Sequence, residues 1–205
     1  MDMSRAPAAT ATQEGAAGTP VPAAGGTLVF VVGPSGAGKD TLLAYARRRL
    51  DGGACGARPV VFARRLITRP VDATEDHIEI DAAGFEAAAA AGRFPLHWRA
   101  NGLGYALGED CRAGLAAGHL VVANGSRAAV KEARARFSDV RVVLVSAPPE
   151  VLARRLAARG REAAPQVAER LARDPALETV PELTLMNDGP VEAAGERLVA
   201  YLAGM

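Results

Sequence analysis

The chain has 205 residues, 49% hydrophobic and 23% charged, with a formal net charge of +1. That length and balance suit one soluble domain carrying small inserted lids, and near-neutrality argues against a bulk electrostatic partner such as nucleic acid. No apolar run is long enough to cross a membrane, and two cysteines, Cys55 and Cys111, are too few for a disulfide framework or a metal cluster, so both are expected as reduced thiols in the cytoplasm.

Residues 1–25, rich in Ala, Pro, Thr and Gly, lack the basic head and apolar centre of a secretion signal and read as a disordered tail; residues 26–205 form the folded domain. Order begins with TLVFVV at 27–32, a continuous apolar run expected as a strand buried on both faces. GPSGAGKD follows, then an amphipathic helix to about Leu50, closed by the Gly-rich stretch at 52–56. PVVFA (59–63), HLVVAN (119–124) and VRVVLVSA (140–147) read as further buried strands, with helices expected at 131–137 and 150–160. ELTLMN (182–187) adds a last strand and VEAAGERLVAYLAG a closing helix. Strands alternating with helices imply an α/β fold, a mostly parallel sheet covered on both faces. Residues 64–118 interrupt the alternation and are expected to form an inserted lobe containing an Ala-rich helix at 82–91. A second interruption, about 159–173, is dense in Arg and poor in large apolar groups, as suits a lid.

Lys plus Arg total 24, and only Lys39 and Lys131 are lysines, so an abundant arginine says little and a lysine says more. Lys39 closes a G-x-x-x-x-G-K pattern between strand and helix. In Gly33, Pro34, Ser35, Gly36, Ala37 and Gly38 the glycines let backbone N–H groups curl around a polyphosphate. The helix N-terminus adds a positive dipole, and Lys39 reaches the outer phosphates as a point charge. A nucleotide such as ATP is the expected ligand. Where a Ser or Thr normally follows the lysine to bind Mg²⁺ there is Asp40, and Thr41 is turned about 100° away on the helix. A carboxylate beside a triphosphate needs a cation between them, so Asp40 is expected to hold Mg²⁺ directly or through water; the competing reading is a helix cap. The strand HLVVAN ends in neutral Asn124, at a position where an acid often assists the metal.

NGSRA, at the carboxyl end of a strand where ligands of open α/β sheets gather, makes Asn124, Ser126 and Arg127 candidate contacts to sugar hydroxyls or phosphate, with a helix cap the plain alternative for Ser126. Arg155, Arg159 and Arg161 flank the lid, where closing arginines can neutralise charge during phosphoryl transfer.

The motifs GPSGAGKD, LITR, HWRANGLGY, VVANGSRA, RGRE and NDG, in this order over about residues 27–203, resemble the guanylate-kinase-like group of P-loop kinases. Within it they look most like the ribose 1,5-bisphosphate phosphokinases of phosphonate metabolism. The resemblance implies a P-loop kinase fold with an acceptor-binding lobe and an Arg-rich lid. It implies transfer of the ATP γ-phosphoryl to the 1-phosphate of ribose 1,5-bisphosphate, which gives 5-phosphoribosyl 1-diphosphate. It places Arg69 at the acceptor phosphate and Asn187 near the adenine. His77, Arg99, Asn101 and Tyr105 complete the expected acceptor pocket, while Trp98 reads as core. Partners would be ATP, Mg²⁺ and a small sugar phosphate, with a homodimer left open. Nucleoside monophosphate kinase activity on GMP is the alternative. Against it, Asp72 stands where guanylate kinases carry a second phosphate-gripping arginine, and neither Leu96 nor His97 can serve as the acid that reads guanine. A noncatalytic interaction module tends to lose the loop lysine, which is present here, and a GTPase switch would not call for an inserted lobe and an Arg-rich lid.

Overall fold

Five strands explain the apolar runs. In the computed structural model, which describes residues 25–50, 58–71, 76–158 and 177–205, β1 (Thr27–Val32) is fully buried. It lies between β7 (Leu120–Asn124) and β8 (Val140–Ser146), with β2 (Val60–Ala63) and β9 (Leu183–Met186) outside them. Every neighbouring pair in this sheet is parallel. All five carboxyl ends therefore share one edge, and the loops leaving β1, β2, β7, β8 and β9 are brought there together.

The sheet is covered on both faces, as the alternation of elements requires. On one side Val29, Val31, Val122 and Val143 pack against α1 (Lys39–Leu50), α5 (Pro149–Ala158) and α6 (Val191–Ala203) through Leu42, Leu152 and Leu198. On the other, Leu28, Phe30, Val32 and Val142 meet Cys111 and Leu115 of α3 (Glu109–Ala116) and Val130 and Ala133 of α4 (Val130–Arg136). Side chains of a buried strand alternate between faces, so a Val-rich run supplies both cores.

The region between β2 and β7 builds a second sheet, ordered β4-β3-β6-β5, from β3 (Arg65–Ile67), β4 (His77–Glu79), β5 (Leu96–Ala100) and β6 (Leu103–Leu107). Helix α2 (Ala82–Ala90) opens on Asp81, whose carboxylate accepts from the Gly84 N–H at 2.8 Å, an N-cap that satisfies one orphan donor. It covers one sheet face through Phe85 and Ala88, which cluster with Phe94 and Ala106. The hairpin β5–β6 turns on Asn101 (φ 52°) and Gly102 (φ 74°), the residue pair such a two-residue turn selects. Within the expected lobe of 64–118, α3 instead belongs to the large sheet: a Cβ on Gly114 would lie 2.8 Å from Val121, so the missing side chain lets helix and sheet close together. No helix among the described residues is long and apolar enough to cross a membrane. The tail expected over 1–25, except Gly25, and the lid expected over 159–173 lie outside the described residues.

Candidate active site

The loop after β1 is shaped by its backbone. Gly33 has φ 150°, and a Cβ there would sit 1.9 Å from the Val145 carbonyl oxygen; Gly38 has φ 87°, and its Cβ would sit 2.4 Å from Nδ2 of Asn187. Both positions require glycine. The Asn187 side chain, 5% exposed, donates to the Ala37 carbonyl at 2.7 Å. Arg155 on α5 donates to the Asn187 carbonyl at 2.8 Å and reaches the Gly36 carbonyl at 3.5 Å. Asn187 and Arg155 thus brace the loop from behind. This is how they meet the candidate nucleotide site, and the N-D-G sequence alone, which reads as a turn, does not reveal it. Lys39 folds back over the loop, its Nζ donating to the carbonyls of Gly33 (2.8 Å) and Pro34 (3.1 Å).

Asp40, in the first turn of α1, faces the second sheet. Its Oδ1 accepts from Nη2 of Arg65 at 2.9 Å and from Nδ2 of Asn124 at 2.6 Å. Asn124 is 4% exposed, and its Oδ1 is buried without a hydrogen-bond partner. Asn124 and Asp40, 84 residues apart, therefore meet at the carboxyl edge of the sheet, a contact that the neutral strand end and the acid in the loop did not by themselves announce. Arg65 was not among the expected site residues. Its guanidinium lies 5.8 Å from the centre of the Tyr105 ring, Tyr105 stacks on Trp98 at 5.7 Å and 6°, and Trp98 meets the Phe30 ring edge-on at 5.9 Å. The available signal was an arginine opening an otherwise apolar strand, RLI, where a buried charge must find a partner.

Alternation sorts the remaining acceptor candidates. Cross-strand partners share a face, so Tyr105, paired with both Trp98 and Ile67, lies on the face of Arg65. His77 is in register with Arg65 and belongs to the same side. Buried at 4% exposure, its Nε2 lies 3.2 Å from the Arg69 carbonyl; a carbonyl only accepts, so Nε2 carries the proton. Arg69 follows β3, half-buried, after Thr68, whose hydroxyl accepts from the Gly104 N–H at 2.8 Å. Arg99 projects to the opposite face, where its guanidinium packs 5.6 Å from the Phe85 ring centre and pairs with Glu86. His97 shares that side between Phe85 and Phe94, and burial, aided by Arg136, holds its pKa below the ordinary histidine value. Asn101 sits exposed at the hairpin tip. The structure therefore brings His77 and Tyr105 to the face of Arg65, with the Arg69 carbonyl against His77, and leaves Arg99 and Asn101 away from it. Ser126 and Arg127 follow β7, Ser126 preceding the short 3₁₀ turn Arg127–Ala129 without a side-chain cap bond. Thr41 is exposed on α1. Arg159, Arg161 and Asp72 lie outside the described residues. Cys111 is buried, with its thiol pushed up to about 12 by desolvation, too high for a thiolate nucleophile or ligand at neutral pH.

Ribose 1,5-bisphosphate phosphokinase PhnN of Methylobacterium radiotolerans is 53% identical over 177 residues, covering 86% of this chain and 97% of that protein. The chain belongs to the ribose 1,5-bisphosphate phosphokinase family. The Chromobacterium violaceum phosphokinase of the same name is 46% identical over 183 residues, covering 87% of this chain and 95% of its own. No family model matches the chain. Among solved structures, a guanylate kinase from Anaplasma phagocytophilum superposes with a TM-score of 0.62 at 16% identity, over 88% of this chain and 86% of that one. This likeness shows a shared P-loop kinase architecture. Of the two positions near which a guanine-reading acid would fall, Leu96 is fully buried in the core and His97 lies under α2.

The residues around Asp40 also fit Mg²⁺. A carboxylate and an amide oxygen are the hard donors this ion prefers, and the orphaned Asn124 Oδ1 gives that cluster a buried oxygen with unmet capacity. Among the described residues no group of three His, Cys, Asp or Glu side chains could hold a metal by itself. Asp40 and Asn124 would thus supply only part of such an ion's ligands.

Proposed function

We propose that this phosphokinase transfers the γ-phosphoryl group of ATP to the 1-phosphate of ribose 1,5-bisphosphate, yielding 5-phosphoribosyl 1-diphosphate and ADP. The observation that carries this reading is the 53% identity to a named ribose 1,5-bisphosphate phosphokinase across 97% of its length. An oxygen of the 1-phosphate attacks the γ-phosphorus, and the bond from that phosphorus to the β,γ-bridging oxygen breaks. The attacking oxygen is already anionic, so no general base is required.

Catalysis then consists of positioning and charge neutralisation. The amides of Gly33–Gly38 would cradle the β- and γ-phosphates, in a loop braced by Asn187 and Arg155. Lys39 would exchange its carbonyl partners for phosphate oxygens, and Thr41 would stand beside the nucleotide. Asp40 and Asn124 would hold Mg²⁺, which when bound supplies positive charge against the phosphate oxygens. Arg69, His77 and Tyr105 would line the acceptor side, with Ser126 and Arg127 near the sugar. Arg159 and Arg161 would neutralise charge on the γ-phosphoryl group, with Arg155 holding the loop that presents it. The partners proposed are ATP and the sugar phosphate, in the cytoplasm, with no nucleic acid.

Phosphorus NMR tests the reading. The protein receives ATP and Mg²⁺ with ribose 1,5-bisphosphate, with GMP, or with no acceptor. A new diphosphate on the sugar is the expected product. Turnover with GMP alone overturns the proposed acceptor.

A further inference from the structure

Asp40 carries two tasks that compete. As a prospective ligand it must offer its carboxylate to a cation on the nucleotide, yet its Oδ1 is held by Arg65 at 2.9 Å. The Arg65 side chain is only 12% exposed and that of Asp40 30%. The pair also bridges two parts of the molecule, with Asp40 on the helix that follows the phosphate loop and Arg65 opening β3 of the second sheet. We infer that Arg65 is an exchangeable cation between donor and acceptor, holding the Asp40 carboxylate before nucleotide binds and turning to the reacting phosphate of the acceptor once Asp40 engages the metal–nucleotide.

Three observations support the exchange. First, a guanidinium offers the same planar fork to a carboxylate and to a phosphate, so changing partner needs only local rotation. Second, the column Tyr105–Trp98–Phe30 beneath the guanidinium ends on β1, the strand that delivers the phosphate loop. A cation seated on that column stays at a fixed place relative to the loop after it leaves Asp40. Third, Arg65 is in register with His77 and shares a sheet face with His77 and Tyr105, on the side proposed for the acceptor. Two polyanions meeting for in-line transfer repel strongly, and a cation located between the loop and the second sheet offsets that repulsion where the new bond forms.

Arg64 provides the internal contrast. It is adjacent in sequence but exposed, with Asp76 at 3.8 Å as its ion-pair partner. Loss of one positive charge at residue 64 should therefore change neither side of the reaction.

The inference rests on the proposed function for the identity of the acceptor, and the test separates the two. Arg65→Met, Arg65→Lys and Arg64→Met are compared with the unaltered chain. Binding of Mn²⁺ in the presence of ADP is followed by electron paramagnetic resonance, and steady-state turnover is followed with ribose 1,5-bisphosphate. Arg65→Met is expected to lower the half-saturating Mn²⁺ concentration by about threefold or more, because Asp40 loses its competing cation. It should lower kcat about 100-fold while leaving ADP affinity at saturating metal within about threefold. Arg65→Lys keeps a charge without the planar fork and should retain more kcat than Arg65→Met, and it carries the turnover test if Arg65→Met does not fold by circular dichroism. Arg64→Met should match the unaltered chain in every measurement. Unchanged Mn²⁺ half-saturation in Arg65→Met, an equal shift in Arg64→Met, or full kcat in both Arg65 variants overturns the exchange. A shifted Mn²⁺ curve with no sugar turnover in the unaltered chain overturns the acceptor reading and leaves the displacement of Arg65 from Asp40 standing.

Discussion

The two sheets of this phosphokinase solve different problems. The five-stranded sheet builds its ligand edge from main chain. Its strands are parallel, its central strand is fully buried, and the loop after β1 is fixed by Asn187 and Arg155 through carbonyl groups. The face of the four-stranded sheet proposed for the acceptor is built from side chains, Arg65, His77 and Tyr105, whose placement depends on which way each strand alternates. A backbone-built site is rigid because moving it breaks the sheet edge. A side-chain-built site can change partners, as proposed for Arg65 and Asp40.

The largest test of that contrast removes the lysine that closes the main-chain site. Lys39→Met should lower kcat about 1000-fold in a steady-state assay with a thermal melt close to the unaltered chain, since a charge is lost from the transition state and no core contact is removed. Gly33→Ala attacks the backbone itself. With φ 150° and a carbonyl 1.9 Å from the new Cβ, the loop or β8 must shift, and denaturant unfolding should show a loss of about 3 kcal/mol together with weaker ATP binding.

Asp40→Ala should raise the Mg²⁺ concentration required for half-maximal turnover by about tenfold or more, measured by Mg²⁺ titration at fixed ATP, because a carboxylate ligand is removed. An unchanged requirement would reduce Asp40 to a partner of Arg65 and Asn124. On the side-chain-built face, Tyr105→Leu should raise the acceptor KM about tenfold, while Arg99→Ala, which alters the α2 side, should change it less than about twofold. Equal effects would mean that both faces touch the acceptor.

The smallest expected effect is a pH dependence. The folded pKa of His97 is depressed by burial and by Arg136, so the unfolded chain takes up its proton first. The contribution of neutral His97 to stability is present above its ordinary value of about 6.5 and is lost as the pH falls below it through the folded value. Melting temperatures between pH 7.5 and 5 should show a small decline, and His97→Phe should flatten it.

How far the sequence could be read follows the same division. GPSGAGKD is contiguous, and its glycines and lysine act at the spacing in which they are written, so the phosphate loop was legible residue by residue. The contact between Asp40 and Asn124 was only half legible: the sequence marked an acid in the loop and a neutral strand end, and the parallel sheet brought the two together. Arg65 was not legible, being one arginine among many, and its importance comes from a carboxylate 25 residues away and an aromatic ring 40 residues away. HWRANGLGY showed the reverse difficulty. Its polar residues formed a plausible pocket wall as a string, but the strand divides them, with Trp98 on one side, His97 and Arg99 on the other, and Asn101 taken by the turn.

The sequence by itself determined the parallel sheet, its two apolar coats and the loop at its edge. Each of these arises from local patterns: continuous apolar runs, helical periodicity and a glycine-lysine motif whose parts are neighbours. Only the tertiary structure decided which face of the second sheet meets that loop and which cation reaches Asp40. Those outcomes depend on cross-strand register, where a shift of one residue exchanges the two faces, and register is set by packing between segments far apart in the chain.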